Sequence, residues 1–253
     1  METVQSQFTS SGCHQCANNP GLDFDFTMAF QPIVDIAKQK VFGYEALVRG
    51  PNNEAAYSVI SRVNDDNRYA FDQSCRVKAI ALAAKLNLQS ILSINFLPNA
   101  IYQPERCIRT TLAAAREYGF PTERIMFEFT ESEKITDSGH VKRVVEYYRE
   151  LGFITAIDDF GAGYAGLGLL ANFQTDLIKL DMELIRNIDR DDTRQVIVTH
   201  LLGICHQLKI RCLAEGIETP GEMQWLKGAG VELMQGYLFA KPGFECLPEV
   251  AFP

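Results

Sequence analysis

Residues Phe26–Val48 read FTMAFQPIVDIAKQKVFGYEALV. Two runs within them, Phe26–Val34 and Lys40–Val48, are rich in the β-branched and aromatic residues that favour strands. Only Asp35–Gln39 lies between the two. A parallel pair needs a crossover of about a dozen residues or more, so strands this close must form an antiparallel hairpin.

Downstream the pattern changes. Six more strand-like runs follow at Ile91–Asn95, Arg124–Thr130, Phe153–Asp158, Leu177–Leu180, Arg211–Ala214 and Glu232–Gln235. Helical periodicity fills most of the gaps, at Ala70–Leu86, Glu105–Tyr118, His140–Leu151, Thr193–Leu208 and Pro220–Gly228. The last of these has its proline at a first-turn position. Strand alternating with helix implies a mainly parallel sheet with helices outside. Eight strands in 253 residues suit a barrel. The expected fold is therefore an α/β, TIM-like (β/α)8 barrel in which the N-terminal hairpin supplies one antiparallel strand. Residues 1–23 are polar and aperiodic, which predicts a flexible leader before a single barrel domain, residues 24–253.

Composition narrows the function. The formal net charge is −8, which argues against clamping a long nucleic acid but permits a small anionic ligand neutralised by metals or local arginines. No apolar run approaches the roughly 18–20 residues that span a bilayer. The N-terminus lacks the apolar core of a signal peptide. The seven cysteines are scattered and odd in number, so they read as free thiols of a cytoplasmic protein with no membrane partner. Cys13 and Cys16 bracket His14, yet His140, His200 and His206 lie in distant contexts, so leader thiols are favoured over half a zinc site. Cys205-His206 falls in a helical pattern and reads as packing. Gly161-Ala162-Gly163 has no following lysine–serine pair, which favours a mobile loop over a P-loop.

In such barrels the working residues stand at the C-terminal ends of the strands. Those ends carry Glu45, Asn95, Glu128, Asp158-Asp159, Lys179, Glu215 and Gln235. A carboxylate directly behind apolar strand residues is costly unless it is paired or bound to metal. One such acid is explained by an ion pair or a helix cap; the whole set converging on one rim is not. Oxygen donors without histidine suit a hard divalent cation, Mg²⁺ or Mn²⁺. Asp158 and Asp159 are adjacent, so one can bridge two ions while the other serves one. Two ions a few ångströms apart serve in-line displacement at phosphorus. No Ser–His–Asp or Cys–His arrangement competes, and hydrolysis is the chemistry expected.

With these motifs in view, the chain resembles the EAL family of cyclic di-GMP phosphodiesterases from about Phe26 to Pro242. The matching stretches are FQPIVD (Phe30–Asp35), YEALVRG (Tyr44–Gly50), SINF (Ser93–Phe96), EFTE (Glu128–Glu131), IDDFGAGYAGL (Ile157–Leu167), IKLD (Ile178–Asp181), AEGIET (Ala214–Thr219) and QGYLFAKP (Gln235–Pro242). The tripeptide Glu45-Ala46-Leu47 alone carries almost no information; eight motifs in order carry a great deal. The resemblance implies two metal ions held by Glu45, Asn95, Glu128 and Asp158, with Asp159 on the second ion. It implies that Lys179 orients the attacking water, that Glu215 is a base or second water partner, and that Gln235 positions that water. It assigns substrate contacts to Gln31, Leu47, Arg49 and Asp181. Glu131 is implied to brace the loop Phe160–Leu167, which the family ties to a homodimer contact. Cyclic di-GMP is then the substrate and linear pGpG the product. Ala165 and Leu97 stand where the family usually has serine, which bears on rate and loop behaviour. A second reading stays open: a non-catalytic cyclic di-GMP receptor signalling through an unidentified protein partner.

Overall fold

The computed structural model describes residues 22–97, 101, 103–130, 138–162 and 166–253. Glu131, Cys13, Cys16, Ala165 and nearly all of the expected leader lie outside them. Strands β1 (Thr27–Asp35) and β2 (Lys40–Arg49) form the expected hairpin, paired antiparallel from Thr27↔Arg49 to Asp35↔Lys40. β3 (Ile91–Asn95), β4 (Ile125–Thr130), β5 (Ile154–Phe160), β6 (Leu177–Leu180), β7 (Arg211–Ala214) and β8 (Leu233–Gln235) then follow β2 in parallel. β8 closes on the reversed β1 through Ile33↔Gln235. The result is an eight-stranded barrel with one antiparallel strand. β1 overshoots β8, and its free edge at Ala29–Phe30 is covered by a ninth strand, β9 (Gly243–Phe244). That strand has two residues and no sequence signal.

The helices follow the expected order with some corrections. α1 (Ala56–Ile60), α6 (Gly166–Asn172) and α7 (Met182–Ile185) are short and were not legible. α2 (Arg68–Lys85), α5 (Ser138–Glu150), α8 (Asp192–Leu208) and α9 (Pro220–Gly228) match expectation closely. The helix expected over Glu105–Tyr118 is two, α3 (Pro104–Cys107) and α4 (Arg109–Glu117). The break falls at Ile108, whose ψ of −17 flattens the turn. The start of α9 is fixed by a reciprocal capping box between Thr219 and Glu222. Among the described residues, no helix is long and apolar enough to cross a membrane.

The core has two parts. Most apolar residues fill the layer between barrel and helices. A second, small cluster (Ile33, Met126, Ala156, Leu177, Leu213, Leu233) plugs the barrel interior. Side chains alternate faces along a strand, so the residue two positions on points into the same interior. Two residues beyond Met126, Ala156, Leu177, Leu213 and Leu233 stand Glu128, Asp158, Lys179, Glu215 and Gln235. In the reversed β1 the same step runs backwards, from Ile33 to Gln31. The apolar plug is thus a floor, and the polar set is the layer built on it.

Candidate active site

Lys179 stands at the centre of that layer, with 1% of its surface exposed. Its Nζ lies 2.7 Å from Glu215 Oε1, 2.8 Å from Glu128 Oε2, 2.9 Å from Asp158 Oδ1 and 3.4 Å from Glu45 Oε2. Glu45 is held from two sides: Asn95 Nδ2 donates to Oε1 at 2.9 Å, and Gln235 Nε2 donates to Oε2 at 2.8 Å. The structure therefore brings together Glu45, Asn95, Glu128, Asp158, Lys179, Glu215 and Gln235, although the sequence scatters them over seven strands.

Asp159 joins them through a backbone irregularity. In a regular strand it would face away from Asp158. The β5–β6 register slips between Ile157 and Phe160, and Asp159 adopts a left-handed φ of +52. This turns both carboxylates toward one rim, a common use of bulges beside active sites. Gly216 follows Glu215 with a φ of +66, and a Cβ there would stand 2.3 Å from the Met182 Cβ. Only glycine allows α7 to pack so close to Glu215.

Charge is badly out of balance. Among the described residues, Glu45, Glu128, Asp158, Asp159 and Glu215 carry five potential negative charges around the Lys179 cation. Burial pushes the Glu128 carboxyl up to about 8, and repulsion from Glu45 and Asp158 adds to this against the pull of Lys179. Asp159 is pushed up to about 6 by burial and then by Asp158 and Asp181. Glu215 is raised well above the usual carboxylate range, again by burial first and neighbouring acids next, despite Lys179. Burial alone would lower the Lys179 ammonium, but the surrounding acids reverse this and hold its proton firmly.

The donors fit hard divalent cations. Among the described residues, two sets of carboxylates each bring their oxygens within 4.8 Å of one another: Glu45, Glu128 and Asp158, and Asp158, Asp159 and Glu215. Asp158 belongs to both. Glu128 Oε1 and Gln235 Oε1 are buried without a hydrogen-bond partner, and a buried acceptor left unsatisfied in this way is rare. A cation would satisfy the first and neutralise the surplus charge.

Beside this cluster opens a cleft of about 280 Å³ whose lining includes Gln31, Glu45, Asp159, Asp181, Glu215 and Gln235. Gln31 and Asp181 are thus where substrate contacts were expected. Asp181 also caps α7, accepting from the Glu183 amide at 2.7 Å. Leu47 and Arg49 are half-buried on β2 and do not line this cleft; the Arg49 guanidinium donates to the Val48 carbonyl at 2.7 Å. Strand-end reasoning missed Met182, Glu218 and Tyr237, which also line the cleft. They sit just past the strands, Met182 as the first residue of α7 and Glu218 and Tyr237 in loops, where alternation no longer applies. Tyr237 is 55% exposed, an aromatic standing in solvent at the cleft edge.

The family model for the EAL domain matches residues 22–242. The chain belongs to the EAL family. Among curated EAL relatives, it is 34% identical to the blue light- and temperature-regulated antirepressor BluF of Escherichia coli, over 94% of this chain and 59% of that one. It is 31% identical to a cyclic di-GMP phosphodiesterase of Pseudomonas aeruginosa, over 90% of this chain and 40% of that one. The chain thus spans between two fifths and three fifths of these relatives' length. Of solved EAL structures, a standalone EAL protein from Vibrio cholerae bound to c-di-GMP superposes with a TM-score of 0.89 at 69% identity, covering 91% of this chain and 98% of that one. Klebsiella pneumoniae BlrP1 with manganese and cyclic di-GMP superposes with a TM-score of 0.82 at 37% identity, covering 90% of this chain and 58% of that one.

Proposed function

We propose that this EAL domain hydrolyses cyclic di-GMP to linear pGpG with two divalent ions, Mg²⁺ or Mn²⁺, at the barrel mouth. The observation that carries the reading is the pair of carboxylate groups sharing Asp158, set around one buried lysine. Glu45, Asn95, Glu128 and Asp158 would hold one ion, and Asp158 with Asp159 the other. Divalent cations held there supply Lewis acidity toward a phosphoryl oxygen and make water more acidic.

The chain's own groups do the rest. Lys179 stays protonated, so it donates hydrogen bonds and orients water rather than acting as a base. Glu215 would take a proton from the attacking water, a role supported by its 2.7 Å contact with Lys179 and its position at the cleft wall. Gln235 is held by Glu45 through its amide nitrogen, which leaves Oε1 as an acceptor for that water. Attack breaks one P–O3′ bond, leaving a 5′-phosphate on one guanosine and a 3′-hydroxyl on the other. Gln31 and Asp181 line the cleft where a guanine would lie. Arg49 and Leu47, on β2 outside that lining, would meet the phosphate and the flank of the substrate. Glu131 would brace the loop after β5, and a homodimer in the cytoplasm is the expected form.

The test is a chromatographic assay of cyclic di-GMP with purified protein and Mn²⁺. Appearance of pGpG, lost in chelator and in Glu45→Ala, supports the reading. The name of the Escherichia coli relative, an antirepressor, favours a second reading as a nucleotide receptor. Tight cyclic di-GMP binding without turnover in any divalent metal would select it.

A further inference from the structure

The far side of the barrel holds a second cluster of reactive groups. Cys205, at the end of α8, and Cys212, in β7, are both free and line one cleft of about 440 Å³, together with His206 and Glu232. They meet because α8 ends in a tight reversal: Lys209 adopts a left-handed φ of 59, and the Ile210 amide donates back to the Cys205 carbonyl at 2.9 Å. Both thiols pack into the layer between barrel and helices, close enough for each to perturb the other's proton affinity. Cys205 is 1% exposed and Cys212 half-buried, whereas Cys246 is exposed and does not line this cleft.

We propose that Cys205 and Cys212 form a reversible intrachain disulfide on exposure to hydrogen peroxide, making this cleft a redox-modification site separate from the barrel mouth. Contact with Cys212 lowers the proton affinity of Cys205, and the same contact together with burial raises that of Cys212. Cys205 is accordingly the attacking sulfur, since the thiolate is the nucleophile. It attacks the peroxide O–O bond, giving a sulfenic acid and one water. The Cys212 sulfur then displaces the hydroxyl, which leaves as a second water with the remaining proton. The two sulfurs lose two electrons in total, and the two peroxide oxygens gain them. The contact removes the usual obstacle to resolution, a partner thiol out of reach.

The sequence makes the bond easy to detect, because Lys209 and Arg211 lie between the two cysteines. Full-length protein is treated with hydrogen peroxide, alkylated under denaturing conditions and digested with trypsin. Peptides Gln195–Lys209 and Cys212–Lys227 should then travel as one species that dithiothreitol separates, enriched at least tenfold over untreated protein. Cys246→Ser should leave that yield unchanged. Recovery of both peptides separately alkylated, with oxidation confined to Cys246, would overturn the proposal. So would a linked species whose yield collapses in Cys246→Ser.

Discussion

Replacing Glu128 by glutamine should make the metal-free protein more stable while abolishing turnover. Glu128 is fully buried, and its carboxyl sits at about 8 in place of the usual 4.5. Each pH unit of such displacement corresponds to about 1.4 kcal/mol, so holding this group ionised in the folded state costs at most about 5 kcal/mol. The folded protein binds more protons here than the unfolded chain between pH 4.5 and 8, so its stability falls as pH rises through that window. Below it the cost vanishes because both states are protonated; above it the cost is complete. Glutamine keeps the shape and can still accept from Lys179, now 2.8 Å away from Glu128 Oε2, but never ionises. Allowing for relaxation of the cluster, the variant should gain about 2 kcal/mol at pH 8.5, or roughly 4–8 °C in Tm for a domain of this size. The gain should shrink toward zero at pH 5. Mn²⁺ should raise the wild-type Tm and leave the variant's nearly unmoved. The assay is thermal unfolding in chelator and in Mn²⁺ across that pH range. A variant less stable than wild type at pH 8.5 in chelator would refute the reasoning, because Glu128 would then be neutralised within the protein itself.

Further tests reach the supports of the site. Asp72 and Arg76 on α2 form a buried pair at 2.7 Å, and Asp72 also accepts the Leu97 amide at 3.0 Å, two residues past Asn95. Asp72→Ala strands the guanidinium between Phe127 and Tyr148 and should cost about 3–5 kcal/mol in urea unfolding. Gly216→Ala forces a side chain into a left-handed backbone and against Met182, and should lower kcat through misplacement of Glu215, with about 1–3 kcal/mol lost in stability. Steady-state kinetics and thermal melts on the same preparation separate the two effects.

Much of this was legible because alternation carries through the barrel. Met126-Phe127-Glu128 is apolar inward, apolar outward, acidic inward, and the sequence shows it as an acid at the end of an apolar strand. The hairpin was legible from the shortness of Asp35–Gln39, a matter of chain reach alone. What the sequence hid depends on local geometry. The left-handed Asp159 brings two adjacent acids to one side, which a period of two forbids. Tyr237 reaches the cleft from a loop and Met182 from the first position of the four-residue α7, where no periodicity marks them. The Cys205–Cys212 contact depends on a helix reversal at Lys209, a residue that ordinarily avoids that conformation.

The number of ions the acid cluster accepts is the most direct measure of the account. Titration of the chelator-stripped protein with Mn²⁺, followed by electron paramagnetic resonance, should count two ions per chain, magnetically coupled through a shared ligand. Asp158→Asn should lose the coupling and weaken both sites together. A single uncoupled ion in the wild type, or two ions that survive Asp158→Asn unchanged, would contradict it.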